Sequence, residues 1–510
     1  MNVKQMRLNL LFTSISFILS LGLNFYITPV LSEHLGDAAY GFVGMSNDFV
    51  SYASTIAAVL NSVAARFITI EMYQKNYKKA NKYYVSLLVA NSILAVVLAI
   101  IGASFVAKME SILVIPESLN SSVKITFILT FLNYIIILIT TVFSICTYVT
   151  NRLDIAGFRN SISYIIRFLI IVVLFHCVGV KMYYIAFATI ISTIFLAITN
   201  IKLTKKLVPE FSFDIKNFDV GCVRVLALSG IWMAISNLSQ ILMTGLDSVI
   251  TNKMLGADAM GILGIARTIP NAIILAISTL GVIFTPNFVK LYAEGKRKEL
   301  ILACNKSIQV MAMVLGVPIV GVMIFGSHFY SLWLPYKTIN EIEMIQILSV
   351  LMMMQSVFNM LTISIAQLSV VTNKLKTPVF VSLFLGFINI IIVVILIKYT
   401  NLGLYAVAGV SSILFIVRYL IFNPVYAAYV LKTKWYTFYG TIGKNILCLL
   451  LLTVIYKLIS KYVILMNWQI FIPTMAFIGV VGYIIVILLN KILGKKRCFS
   501  RKDSENVGEN

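Results

Sequence analysis

Charge is what this chain is short of. Asp, Glu, Lys and Arg make up 12% of its 510 residues, where a soluble domain carries roughly 25%. That excludes an ordinary water-soluble globular protein. Acidic residues are the scarcest, 19 against 41 basic ones. The three histidines, His34, His176 and His328, have no ligand spacing. The six cysteines form no CxxC pair, so neither a metal site nor a disulfide framework is indicated. No GxxxxGK[ST] stretch exists, which removes a P-loop ATPase. Gly440-Thr441-Ile442-Gly443-Lys444 is too short and lies beside an apolar run. HExxH and DxD are absent too. Long loops are missing as well: the longest on the outer side, 108–121 and 327–342, cannot form a domain. No small-residue cleavage site follows the first apolar run, so that run reads as a retained helix. These absences point to a non-enzyme without a cofactor that works inside the membrane.

What is present is apolar length. The chain is 60% hydrophobic with a mean hydropathy of +0.95. Its apolar stretches are long and continuous rather than ten-residue alternations, so the fold class is all-α and polytopic, not a barrel. Fourteen spans are expected, centred on 9–31, 40–65, 84–107, 122–148, 158–179, 183–201, 226–251, 259–288, 301–326, 343–371, 378–398, 402–423, 441–460 and 468–490. With the N-terminus inside, inner segments collect most Lys and Arg, among them Lys75, Lys78, Lys79 and Lys82. Outer segments hold few, such as Lys108, Lys181 and Lys253. The positive-inside bias supports both the span count and two cytoplasmic termini. The net charge of +22 is then read as that bias plus attraction to anionic lipid headgroups, not as nucleic-acid binding.

The chain also repeats itself. Val149-Thr150-Asn151-Arg152-Leu153 returns as Val371-Thr372-Asn373-Lys374-Leu375, an offset of 222 residues. The stretch 35–44 (LGDAAYGFVG) returns as 255–264 (LGADAMGILG), an offset of 220. Tyr184-Ile185-Ala186 matches Tyr405-Ala406-Val407 at 221. A near-constant shift means a duplicated unit. Six spans separate the copies, so the two run in parallel. The expected organisation is a six-helix lobe over 1–201, a surface-lying linker over 202–224 and a second six-helix lobe over 225–424. Spans 13 and 14 follow over 425–493, then a disordered cytoplasmic tail over 494–510. Pro29, Pro270, Pro286 and Pro318 are expected to interrupt or kink their spans.

Intramembrane charges are the candidate site, because each costs about 2.5–3.5 kcal/mol at a span centre. Arg167 sits mid-span 5, Arg267 in the outer half of span 8, Asp48 in the outer half of span 2 and Asp247 near the outer end of span 7. The repeat maps Asp48 onto Thr268, beside Arg267, so these two are expected at similar depth, one serving as counter-ion for the other. Arg167 maps onto Asn389 and is unique to the first half. A lone guanidinium there suits an anion such as phosphate. Arg66 and Arg418 lie about a turn from inner span ends, where they can snorkel to headgroups or receive an anionic lipid head. Asn24 is the prominent polar residue of span 1.

The Leu35-Gly36 and Tyr40-Gly41 outer turn, six-plus-six parallel repeats, two extra C-terminal spans and basic inner loops resemble the polysaccharide exporter branch of the multidrug/oligosaccharidyl-lipid/polysaccharide (MOP) superfamily. More narrowly, the chain resembles O-antigen or capsule repeat-unit flippases. The resemblance implies alternating access, driven by an ion gradient or voltage, that moves an undecaprenyl-diphosphate oligosaccharide across the bacterial cytoplasmic membrane. A coupling cation or proton, membrane lipids, a polysaccharide polymerase and assembly proteins are the implied partners. It also implies that Arg267 and Asp48 sit where related lipid II flippases keep cavity charges. Those relatives' span 1 arginine has no match here. The alternatives are a lipid II-type flippase and an ion-coupled multidrug exporter of the same superfamily.

Overall fold

The computed structural model describes residues 3–463 and 467–505. Among these, every regular element is helical, and thirteen segments are long and apolar enough to cross a membrane. One of them, Ser14–Tyr73, is 60 residues long, far more than the roughly 20 that one crossing needs. It lies in the helix Val3–Tyr73, which breaks at Gly36, where φ is 82° and ψ 166°. Only glycine adopts that conformation readily. The parts before and after Gly36 are two spans, α1 and α2, so the expected fourteen are present. The others are α3 (Tyr77–Ile112), α4 (Asn120–Val149), α5 (Leu153–Cys177), α6 (Tyr183–Leu207) and α7 (Val220–Leu255). They continue with α8 (Ala257–Ala293), α9 (Arg297–Trp333), α10 (Ile339–Val371), α11 (Lys376–Tyr399) and α12 (Leu404–Val430). The last two are α13 (Tyr439–Ser460) and α14 (Trp468–Glu505). Helix α14 runs into the stretch expected to be disordered, and 506–510 lie outside the described residues.

The repeated pentamer proves to be a turn. Asn151 and Asn373 hold φ of 54° and 56°, the left-handed region that asparagine tolerates better than most residues. Around each the chain closes the same way. The N–H of Arg152 donates to the carbonyl of Thr147, and that of Lys374 to Ser369, both at 2.8 Å. The asparagine N–H donates three residues back, at 3.1 Å in each copy. The Thr150 and Thr372 hydroxyls cap Cys146 and Leu368, both at 2.7 Å. This is the Schellman closure, which satisfies carbonyls left over at a helix end. Lys75 (φ 60°) and Gly295 (φ 70°), 220 residues apart, make a second such pair of turns. The exposed Lys296 ammonium donates to Glu294 at 3.0 Å. That hydrogen bond holds the Glu294 carboxyl below its usual range.

The prolines divide: α8 is interrupted at 283–284, just before Pro286, as expected, and the other three lie in uninterrupted helix. Pro29, Pro270 and Pro318 all lie inside continuous helices, and Pro286 begins a helical stretch. Each removes one N–H, yet the break in the first hydrophobic segment falls at Gly36. Two π turns also interrupt the regular spans, Ile241–Gly245 in α7 and Arg418–Phe422 in α12.

The chain divides into two compact units. The first contains 1–265 and 379–399, and the second 266–378 and 400–510. In the first unit, glycines let helices approach closely, the usual device for packing helices in lipid. A Cβ on Gly230 of α7 would meet the backbone carbonyl of Val59 in α2. Gly41 and Gly261, equivalent in the two copies, pack together, and a Cβ on Gly41 would lie 2.9 Å from the Gly261 Cα. Polar side chains supply further ties. Asn61 and Asn91 exchange amide hydrogen bonds at 3.1 and 3.0 Å, and Asn91 also donates to the Leu138 carbonyl at 3.1 Å. Asn91→Ala removes this bridge between α2, α3 and α4. It is expected to cost about 1–2 kcal/mol, read as a lower unfolding midpoint of the detergent-purified protein, with little change for the exposed Ser104→Ala.

The linker is tied to the same unit. Val208 is almost wholly buried, and Phe211 stacks on Tyr84 with centroids 4.6 Å apart. Ser212 N donates to the Asn81 side chain at 3.1 Å, and Asp219 N to Ser86 Oγ at 2.9 Å. In the second unit a continuous apolar core joins α9, α10, α13 and α14 through Leu315, Met360, Leu449 and Ile478. Ser307 to Ser364 (2.8 Å) and Tyr330 to Ser349 (2.9 Å) add ties between α9 and α10.

Candidate functional site

One expected site residue, Asp48, bonds the helix that carries another, Asp247, in the first unit. Asp48 of α2 is half-buried and accepts a hydrogen bond from Ser248 Oγ of α7 at 2.6 Å. Asp247, next to that serine, is only 2% exposed. The π turn directly precedes it, and the Tyr52 hydroxyl of α2 donates to the Gly245 carbonyl within that turn. A π turn carries a wider backbone ring than an α-helix and often marks functional positions. Here it precedes Ser248, which bonds Asp48 of α2, and the buried Asp247 beside that serine. Just beyond, Asn252 clamps Val114 through its backbone N–H and carbonyl, at 2.9 and 3.0 Å. The end of α7 is therefore held firmly.

Arg167 lies elsewhere in that unit, on α5. Ser16 of α1 bonds the Gly157 carbonyl and Ser161 of this helix at 2.7 and 2.8 Å, and Tyr26 meets Phe168 edge-on at 5.3 Å. These contacts fix the helix that presents Arg167. Its guanidinium Nε is buried and has no hydrogen-bond partner among the described residues. Asn24 and Arg66 are exposed on α1 and α2. The Asn24 amide donates to the Ser20 carbonyl of its own helix at 3.1 Å, a local use that leaves its oxygen pointing outward from that bond.

Arg267 and Arg418 belong to the second unit. Both are half-buried. Arg418 opens the π turn of α12, and its Nε is again buried without a partner among the described residues. The same helix carries stacked rings: Phe415 with Tyr419 at 5.6 Å and Phe422 with Tyr426 at 5.2 Å.

One charged residue escaped the sequence reading. Arg159 lay near a basic turn and counted only towards orientation. It is 9% exposed, its Nε donates to the Ile155 carbonyl at 3.2 Å, and its Nη1 has no described partner. Its neighbours Ser161 and Ser163 are buried too. Arg159, Ser161 and Ser163, at alternate positions where an apolar run begins, were the available signal. Among the described residues no cluster of three His, Cys, Asp or Glu could hold a metal ion.

The arrangement defines a class first: a polytopic α-helical membrane protein with the fold of the MOP superfamily. The chain resembles a multidrug-resistance MATE transporter of that superfamily in an inward-facing conformation. The TM-score is 0.69 at 16% identity, covering 82% of this chain and 96% of that one. It equally resembles the lipid II flippase MurJ in an inward closed conformation, with a TM-score of 0.69 at 16% identity over 95% of this chain and 99% of that one. Residues 7–292 match the polysaccharide biosynthesis protein family, and the chain belongs to it. It is 26% identical over 433 residues to the uncharacterized membrane protein EpsK of Bacillus subtilis (strain 168), covering 84% of each.

Proposed function

We propose that this protein is a flippase that moves oligosaccharides carried on undecaprenyl diphosphate from the inner to the outer leaflet of the bacterial cytoplasmic membrane. One observation carries the reading. In a member of a polysaccharide biosynthesis family, Arg167 and Arg418 hold buried guanidinium nitrogens without described partners inside apolar segments. A charge in that setting is costly, and a diphosphate supplies the missing acceptor in bidentate geometry. The sugar head crosses beside these groups while the polyprenyl chain stays in lipid. No covalent bond has to form. Both termini stay cytoplasmic, and Arg267 and Asn24 are further candidates for contact with the head group.

Asp48 and Asp247 are the natural handle for an ion gradient, because a carboxylate can exchange a proton or a cation. Asp48→Asn keeps an oxygen for the Ser248 hydroxyl and removes the charge. It is expected to fold normally, melting within a few degrees of wild type, and to lose any response of transport to an imposed proton or sodium gradient.

The direct test places purified protein in sealed vesicles with an undecaprenyl-diphosphate oligosaccharide and follows exposure of the sugar to an impermeant glycosidase. Protein-dependent exposure is expected. If no exposure occurs under any imposed gradient or voltage, and a cationic drug is moved instead, the exporter of the same superfamily replaces this reading.

A further inference from the structure

Helix α12 carries two unlike outward rows. Ile413, Val417, Ile421 and Val425 are all exposed, four residues apart, an aliphatic row suited to hydrocarbon. A second row, Arg418, Phe422 and Tyr426, is half-buried and lies off the first. Residues four apart along it share a face, and the π turn Arg418–Phe422 keeps the first two aligned. The rings of Phe422 and Tyr426 stand 5.2 Å apart with planes inclined by 16°.

This second row is held in place by two tyrosine hydroxyls. Tyr426 donates to the Lys374 carbonyl at 2.9 Å, in the turn that the duplication repeats. Tyr439 of α13 donates at 2.7 Å to the carbonyl of Leu420, within the π turn. A local distortion braced from two sides is a fixed feature of the helix. The row belongs to the second copy alone. A shift of 221 maps Arg418, Phe422 and Tyr426 onto Ala197, Ile201 and Lys205. Packing between halves that share an ancestor does not require it.

We propose that Arg418, Phe422 and Tyr426 form a strip that grips the glycosyl diphosphate part of the cargo. The guanidinium takes the phosphate oxygens, and the ring pair takes the first sugars. Aromatic faces carry partial negative charge, which attracts the polarised C–H groups on one face of a pyranose. Guanidinium matches phosphate in a two-pronged hydrogen bond. A lipid-facing surface needs neither, and the aliphatic row already serves that purpose. The proposal rests on the flippase reading and names the part of the substrate this helix handles.

The test measures binding to full-length protein in nanodiscs with two probes: farnesyl diphosphate bearing the oligosaccharide, and farnesyl diphosphate alone. Phe422→Leu and Tyr426→Leu are each expected to weaken the sugar-bearing probe about fivefold and to leave the sugar-free probe unchanged. Arg418→Gln should weaken both, about tenfold. Tyr426→Phe keeps the ring and loses one of the two hydroxyl braces, and should bind the sugar-bearing probe between wild type and Tyr426→Leu. Ring variants that lose both probes equally, or neither, overturn the strip while leaving the flippase reading standing. Displacement of both probes by phosphatidylglycerol would make the row a headgroup site and overturn it too. Wild type that binds neither probe sinks the strip and the flippase reading together. Should a leucine variant fail to fold, Phe422→Tyr is expected to bind normally, and a Phe422→Tyr that folds and loses the sugar-bearing probe counts against the strip.

Discussion

Arg167→Leu is expected to reduce lipid-linked oligosaccharide movement by about a hundredfold or more, equivalent to roughly 2.7 kcal/mol, without lowering the melting temperature. The two readouts separate because the guanidinium is costly where it sits. A charge placed mid-span is unfavourable by about 2.5–3.5 kcal/mol on insertion scales. The Nε of Arg167 recovers no hydrogen bond from any described residue. Leucine fills similar volume and lifts that cost, so the empty protein should melt at the same temperature or higher. The loss should fall on transport, where the anion would have supplied the missing acceptor. Arg167→Lys keeps a point charge and loses the flat two-pronged donor. It should retain part of the activity, between wild type and leucine. A leucine variant that melts lower and transports normally would make Arg167 a structural residue.

Gly261→Ala should be strongly damaging for the addition of a single methyl group. A Cβ there would overlap the backbone carbonyl of Asp37 and lie 2.7 Å from the Asp37 Cβ. None of these atoms can swing aside as a side-chain tip would. The start of α8 and the start of α2 would have to part. Overpacking usually costs 1–3 kcal/mol, and a backbone clash lies at or above the upper end, about 3 kcal/mol. Gly41→Ala meets Gly261 from the other side, with N and Cα both at 2.9 Å, and should be nearly as severe. Gly44→Ala is the control: nothing lies within 4 Å of its added Cβ, and alanine favours helix over glycine. Unfolding midpoints of the three purified variants test the order. Equal stability for Gly261→Ala and wild type would remove the close crossing.

Much of the architecture was legible because membrane crossing is a one-dimensional problem of apolar length. The break between α1 and α2 was legible too, as the repeated Leu35-Gly36 turn, though the prolines pointed to kinks elsewhere. Proline costs a hydrogen bond, and a span can absorb that loss. A φ of 82° cannot be absorbed by most residues, so Gly36 decides where the chain turns. The repeated pentamer signalled ancestry in the sequence, and its physical content emerged as a left-handed asparagine closed by one hydrogen-bond pattern. The π turns left no comparable mark. The two stretches, 241–245 (ILMTG) and 418–422 (RYLIF), share no residue pattern, and tertiary ties such as Tyr439 to Leu420 brace them. Charges were found where they stood out against apolar neighbours. Arg159 was missed because it stands at the inner end of an expected span, where a basic residue fits the positive-inside bias, although the helix buries it. The meeting of Asp48 with Ser248 could not be read from spacing, because 200 residues separate them.

The linker's attachment bears on ancestry. A gene cut between the codons for Leu207 and Val220 would not yield two self-sufficient six-helix proteins. The second product would begin with α7, whose Gly230 is shaped to the Val59 carbonyl of the first. It would also contain α11, where Gly386 seats Leu242 of α7 and Asn389 donates to Met243 at 3.0 Å. Both helices belong to the first unit, not with the rest of their own copy. The two repeats are therefore unequal in the folded chain: the second gives two of its helices to the unit built around the first.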